Sequence, residues 1–112
     1  MKIAIPLAQE KLALHFGHCE QFAIIEVNEE TKEITNRTDA TPPAHEPGVL
    51  PKWLHEEGAN IIIAGGMGQR AQQLFTQNDI QVIVGASSSD PEELVGAYLQ
   101  GSLETGSNIC DH

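Results

Sequence analysis

Two nearly continuous apolar runs, residues 61–64 and 80–84, bracket a stretch in which Met67, Ala71, Leu74 and Phe75 recur at helical spacing. An apolar run with little alternation is what a strand needs when both of its faces are covered. Two such strands flanking a helix form a crossover unit, because parallel neighbours cannot be joined by a tight turn. The chain is thereby directed to an α/β sheet with helices on both faces and right-handed crossovers.

The other elements follow from local pattern. Residues 2–6 read as a short apolar strand and residues 21–27 as a β-branched one, with a polar turn at 28–31 and a charged partner strand at 32–38 whose polarity suits a sheet edge. The segment from residue 7 to Cys19 has too little periodicity for an element and reads as a long loop. Residues 39–47 contain Pro42, Pro43 and Pro47 and read as a second loop, a mobile flap that carries His45. Leu50, Trp53 and Leu54 share one face of a short helix, with Pro51 in its first turn and Gly58 at its carboxyl-terminal cap. The last helix has Asp90 as amino-terminal cap, Pro91 in first position, Glu93 three residues after the cap, and Gly101 as its stop. Leu94, Val95, Tyr98 and Leu99 form its buried stripe. The expected fold is a single α/β domain over residues 1–112: a mixed five-stranded sheet, an antiparallel hairpin beside parallel strands, and helices on both faces.

Bulk properties narrow the function. A chain of 112 residues that is 40% hydrophobic and 4% aromatic builds one modest core. Proline at position 6 interrupts the start too early for a signal-peptide apolar region, and no stretch is long enough to cross a bilayer, so the expected setting is cytoplasmic, with no membrane partner. Six basic against sixteen acidic residues give a net charge of -10, the wrong sign for displacing counterions from nucleic acid. The two cysteines read as free thiols or ligands in a reducing compartment, the other arrangement being a Cys19–Cys110 disulfide. Without a Cys-x-x-Cys pair, thioredoxin-type exchange lacks its usual neighbouring thiols and ranks low.

Ligand-capable side chains gather in two places: His15, Phe16, Gly17, His18 and Cys19 near the start, and Cys110, Asp111 and His112 at the end. Together these stretches hold both cysteines and three of the five histidines. Imidazole nitrogen and thiolate sulfur suit iron, zinc or copper, which makes His15, His18, Cys19, Cys110 and His112 the candidate metal ligands. The competing reading has Phe16 and Phe22 anchoring the loop, both histidines in solvent, Cys19 as a small buried hydrophobe, and the tail as an ordinary mobile end. Gly65, Gly66, Met67 and Gly68 open a helix, where backbone N–H groups and the helix dipole favour an anion; tight strand-to-helix packing is the alternative reason for the glycines. Their spacing is neither a Walker loop nor a dinucleotide fingerprint. Arg70 adds positive charge one turn on. His55, beside the Trp53 and Leu54 face, reads as a surface or packing residue. In open α/β sheets ligands lie beyond the carboxyl ends of the parallel strands, where the glycine turn and the segment after Pro6 both emerge.

Taken in order, residues 1–6, the His15-to-Cys19 motif with Phe22, the glycine turn, and Tyr98, Leu99, Gln100 and Gly101 followed by the 108–112 tail resemble the dinitrogenase iron-molybdenum cofactor biosynthesis family. The resemblance implies a ribonuclease H-like fold. It also implies non-catalytic binding or carriage of an iron-sulfur or molybdenum-containing cluster during cofactor assembly or transfer, relatives outside nitrogen fixation including binders of molybdenum-copper-sulfur clusters. The cofactor-binding positions that it carries over are His15, Phe16, Gly17, His45, Gly65, Gly66, Met67 and Gly68. Partners of this kind are the cluster itself, a cluster-assembly ATPase or a recipient metalloenzyme. The rival is a metal-independent interaction or regulatory module acting on such an ATPase or metalloenzyme. Nuclease or phosphoryl-transfer chemistry, which this fold can host, lacks its carboxylate on residues 2–6 and would meet an acidic surface. The chain is therefore read as a non-enzyme.

Overall fold

The computed structural model describes residues 1–9, 11–12, 20–43, 48–86 and 90–103. In chain order its elements are β1 (Lys2–Ala8), β2 (Lys11–Leu12), β3 (Gln21–Asn28), β4 (Glu33–Ala40), α1 (Val49–Glu56), β5 (Ile61–Ile63), α2 (Gln69–Gln77), β6 (Gln81–Ile83) and α3 (Pro91–Gln100). They form one six-stranded sheet of order β4-β3-β1-β5-β6, with β2 paired to β1. β1, β5 and β6 run parallel, while β3 is antiparallel to β1 and β4 antiparallel to β3. This is the expected mixed α/β sheet.

Alternation along the strands divides the core into two layers. Ala4, Phe22, Ile24, Ile62 and Ala64 meet Leu50 and Leu54 of α1, Phe75 of α2, and Met67 on one face. Ile3, Ile5, Leu7, Ala23, Ile25, Ile61 and Ile63 meet Leu94 and Val95 of α3 on the other. The central strands are covered twice, which is why residues 61–64 are apolar without a break. β4 has one neighbour and is almost wholly exposed, as its charged sequence foretells.

Each helix ends in the same way. At α1 the Ala59 N–H donates to the Leu54 carbonyl and the Gly58 N–H to that of His55, both at 3.0 Å, with Gly58 at φ 87°. At α3 the Ser102 N–H reaches the Ala97 carbonyl and the Gly101 N–H that of Tyr98. α2 repeats the pattern with Asp79 at φ 61°, a left-handed conformation in a residue that is not glycine. Arg37 ties the edge strand to α3: its guanidinium donates to Asp39 at 2.8 and 3.0 Å and to Glu92 at 3.0 Å. Those bonds, led by Asp39, raise its pKa further above the ordinary arginine range against the opposing effect of desolvation.

Three local expectations change. The segment after Pro6 is not loop throughout, because the inward alternation of Ile3, Ile5 and Leu7 carries β1 on to Ala8, and β2 then pairs back as a sixth strand. β4 runs to Ala40, since Asp39 and Ala40 are held opposite Ala23 and Phe22. Asp90 takes the cap position of α3, but its side chain makes no capping hydrogen bond.

Candidate functional site

The topology sends four connections out of one end of the sheet. β1, β5 and β6 finish there, β3 starts there opposite Pro6 and Leu7, and β4 returns there with Ala40 opposite Phe22. The connections 9–20, 41–48, 64–68 and 84–90 therefore share this end, and α1, α2 and α3 all begin at it.

β1 brings the first connection next to the glycine turn. Along one edge β1 pairs with β3; along its other edge Ile3 and Ala4 pair with β5, and Leu7 and Ala8 pair with β2. The partner thus changes across Ile5 and Pro6, and Pro6 has no N–H to leave unpaired. β2 lies in the column beyond the end of β5, beside the turn into α2. Residues 13–19 begin after Leu12, which faces Leu7, and end at Glu20, whose N–H donates to the Leu7 carbonyl at 2.6 Å. Both ends of that connection are fixed to one residue of β1.

The glycine turn is firmly held. The Ala64 N–H bonds the Ile83 carbonyl at 2.8 Å, the Gly85 N–H bonds Gly65 at 2.7 Å, and the Ala86 N–H bonds Ala64 at 3.2 Å. Gly65 and Gly66 are buried, and the positive-φ glycine in this region is Gly85 at 86° rather than either of them. Gly68 is the cap of α2 at φ -66° and ψ 156°, with no side chain to occupy its first N–H groups. Met67 is fully buried among the α1 and α2 residues, so its thioether belongs to the core and not to the surface of this end.

Charge distinguishes the helix starts. α3 has Asp90, Glu92 and Glu93 at its amino terminus, which offset its dipole. α1 and α2 have no acidic residue in their first turns, and each has a basic residue close to its start, exposed Lys52 and exposed Arg70. Among the described residues neither cation forms an ion pair, nor does exposed Lys11 on β2, whereas Lys2 and Arg37 do. A shallow depression of about 340 Å³, lined by Leu7, Gln9, Glu20, Gln21 and Thr41, adjoins the start of the first connection. The described part of this end thus has the half-buried Gly68 cap, two helix starts without acids in their first turns and three cations outside any described ion pair, an arrangement suited to an anion.

Residues 1–101 match the family described as dinitrogenase iron-molybdenum cofactor. The chain belongs to this family. An uncharacterized protein of Methanocaldococcus jannaschii, MJ0580, is 35% identical over 108 residues, covering 93% of this chain and 90% of that one. The crystal structure of PH0822 superposes with a TM-score of 0.85 at 26% identity, covering 95% of this chain and 96% of the other. MJ0327 of M. jannaschii, described as a candidate dinitrogenase, gives a TM-score of 0.74 at 19% identity with 96% of each chain covered, a likeness of fold.

The family match separates the candidate ligands. His15, Phe16, Gly17, His18, Cys19, His45 and the glycine turn fall within it, and Cys110 and His112 lie beyond its end at residue 101. All of these except the glycine turn lie outside the described residues. The tail also follows from the opposite end of the sheet, since α3 starts at the site end and runs away from it, and Leu103 beyond it packs, as Met1 does, against the α3-side core. Cys110 stands seven residues past Leu103, about 25 Å of fully extended chain, roughly the length of β1. His55 is the histidine within the described residues; its Nδ1–H donates to the Asn78 carbonyl at 2.9 Å, linking α1 to the end of α2 in a packing role. Among the described residues no three His, Cys, Asp or Glu side chains gather as a metal site, and no helix is long and apolar enough to cross a membrane. Lys11, Lys52 and Glu20 were not marked by sequence pattern, because what distinguishes them is long-range placement.

Proposed function

We propose that this chain is a non-catalytic carrier of an anionic iron-sulfur or molybdenum-containing cluster, working in the cytoplasm during cofactor assembly or transfer. One observation carries the reading: in a chain of net charge -10, the first turns of α1 and α2 hold no acidic residue, each helix has a cation close to its start, and both begin at the end of the sheet where the glycine turn lies. A helix start normally gains from acidic residues in its first turn, so first turns without them at these two and not at α3 fit a site kept open for a negative cargo. His15, His18 and Cys19 would supply direct ligands from the connection fixed at Leu7, with Phe16, Gly17 and His45 around the cargo. Cys110 and His112 would join only by returning the tail along the sheet, which ranks them below the other ligands. A recipient metalloenzyme or a cluster-assembly ATPase is the matching partner.

The deciding measurement is metal and acid-labile sulfide content, with a visible spectrum, on protein purified without oxygen and then reconstituted with iron and sulfide or with tetrathiomolybdate. The expected result is one cluster per chain, lost in a His15→Ala, Cys19→Ala double variant and retained in Cys110→Ala. A colourless, metal-free protein under every condition would overturn the carrier reading.

A further inference from the structure

We infer that Glu20, outside every ligand motif, is a positioning residue: it clasps the turn between β1 and β2 and so sets where β2 stands beside the glycine turn. The inference rests on the carrier reading for its functional consequence and on local geometry for the clasp. β1 leaves strand geometry at Gln9, which adopts φ 54°, a left-handed conformation that a glutamine side chain disfavours. The β2 ladder that follows is only two residues long, Leu7 to Leu12 and Ala8 to Lys11; Leu12 is buried in the α3-side core, while the turn before it lies at the surface. Glu20 holds that turn. Its backbone N–H donates to the Leu7 carbonyl at 2.6 Å, and its carboxylate Oε1 accepts the Gln9 N–H at 3.1 Å. One residue thus joins the last turn of β1 to the start of β3 across the mouth of residues 13–19, by a charge-assisted bond to the very amide at the strained position. A carboxylate next to an anion site opposes the cargo electrostatically, so its presence is explained by the bond it accepts and not by its charge.

Two substitutions in the full-length chain separate these effects. Glu20→Gln keeps a carbonyl acceptor and removes the charge; Glu20→Ala removes both. Amide hydrogen exchange of Gln9, Lys11 and Leu12 in the unloaded protein should quicken by roughly tenfold in Glu20→Ala and stay within about twofold in Glu20→Gln, as the loss of one such bond requires. Release of tetrathiomolybdate, followed by its visible absorption, should be several-fold faster from Glu20→Ala and no faster from Glu20→Gln. Unchanged exchange in Glu20→Ala would overturn the clasp, and quickened exchange with unchanged release would overturn the positioning role. Failure of the unsubstituted chain to hold tetrathiomolybdate would count against the carrier reading and remove the functional role with it, while the exchange comparison still decides the clasp.

Discussion

At the end of the sheet where β1 begins, every connection is closed by its own hydrogen bonds; at the end where β1 finishes, the connections are longer, and Lys11, Lys52 and Arg70 form no ion pair among the described residues. Asn28 illustrates the first end: its Oδ1 accepts the Glu30 and Thr31 N–H groups at 2.9 and 3.2 Å, and its carbonyl accepts that of Lys32 at 2.7 Å. Asn60 is the hub there, with its Oδ1 on the Lys2 N–H, its own N–H on the Lys2 carbonyl, and its carbonyl on the Gln81 N–H, all within 3.0 Å. The site end has instead two helices with cations close to their starts and no acid in their first turns. Under the proposed carrier reading, stability and cargo recognition fall to opposite ends of one core, and substitutions should affect one or the other.

The largest effect should come from the shared core, which joins both ends. Leu54, fully buried in α1, should cost about 2–5 kcal/mol when replaced by alanine, read as a lowered denaturation midpoint with one cooperative transition. Separate melting of the two ends would break the comparison. Next comes the double variant Lys52→Glu, Arg70→Glu. It should weaken tetrathiomolybdate binding by about tenfold or more at low salt, with the gap narrowing as salt rises. Its folding stability should hold or increase by ~0.3–1 kcal/mol per site, because acids suit helix starts. A variant that lost stability instead would show that these cations support the fold. Asn60→Ala should show the converse, a loss of about 1 kcal/mol in chemical denaturation with tetrathiomolybdate affinity unchanged. The smallest effect is a gain: Asp79→Gly relieves the left-handed position after α2 and should stabilise by ~0.5 kcal/mol or a little more, net of the added freedom of the unfolded chain.

The fold was legible where local rules decide. The apolar run at 61–64 announced a doubly covered strand, Pro51 and Gly58 bounded α1, Pro91 and Gly101 bounded α3, and the charged composition of residues 33–40 marked an edge. β2 was not legible, because two residues carry no period and its pairing depends on the space left on β1 beyond β5. The glycine turn was legible as a strand-to-helix junction, yet Met67 within it turns inward to the core, a choice made by packing against α1 and α2. The placement of Lys11, Lys52 and Glu20 arises from residues distant in sequence meeting at one end of the sheet, for which a single sequence gives no sign. The capping role of Asp90 was half legible: its place came from proline at the next position, while the side-chain bond depends on geometry that the pattern does not encode.

Anchoring both ends of residues 13–19 to Leu7 makes that stretch an exchangeable insert. Its sequence and length can drift without disturbing the register of any strand, because loop-closure entropy changes slowly with length and the stitches lie outside the insert. Under the proposed carrier reading, one scaffold could then acquire a different cargo preference by rewriting seven residues, while the β1 seam, the glycine junction and the hydrophobic layers are inherited intact.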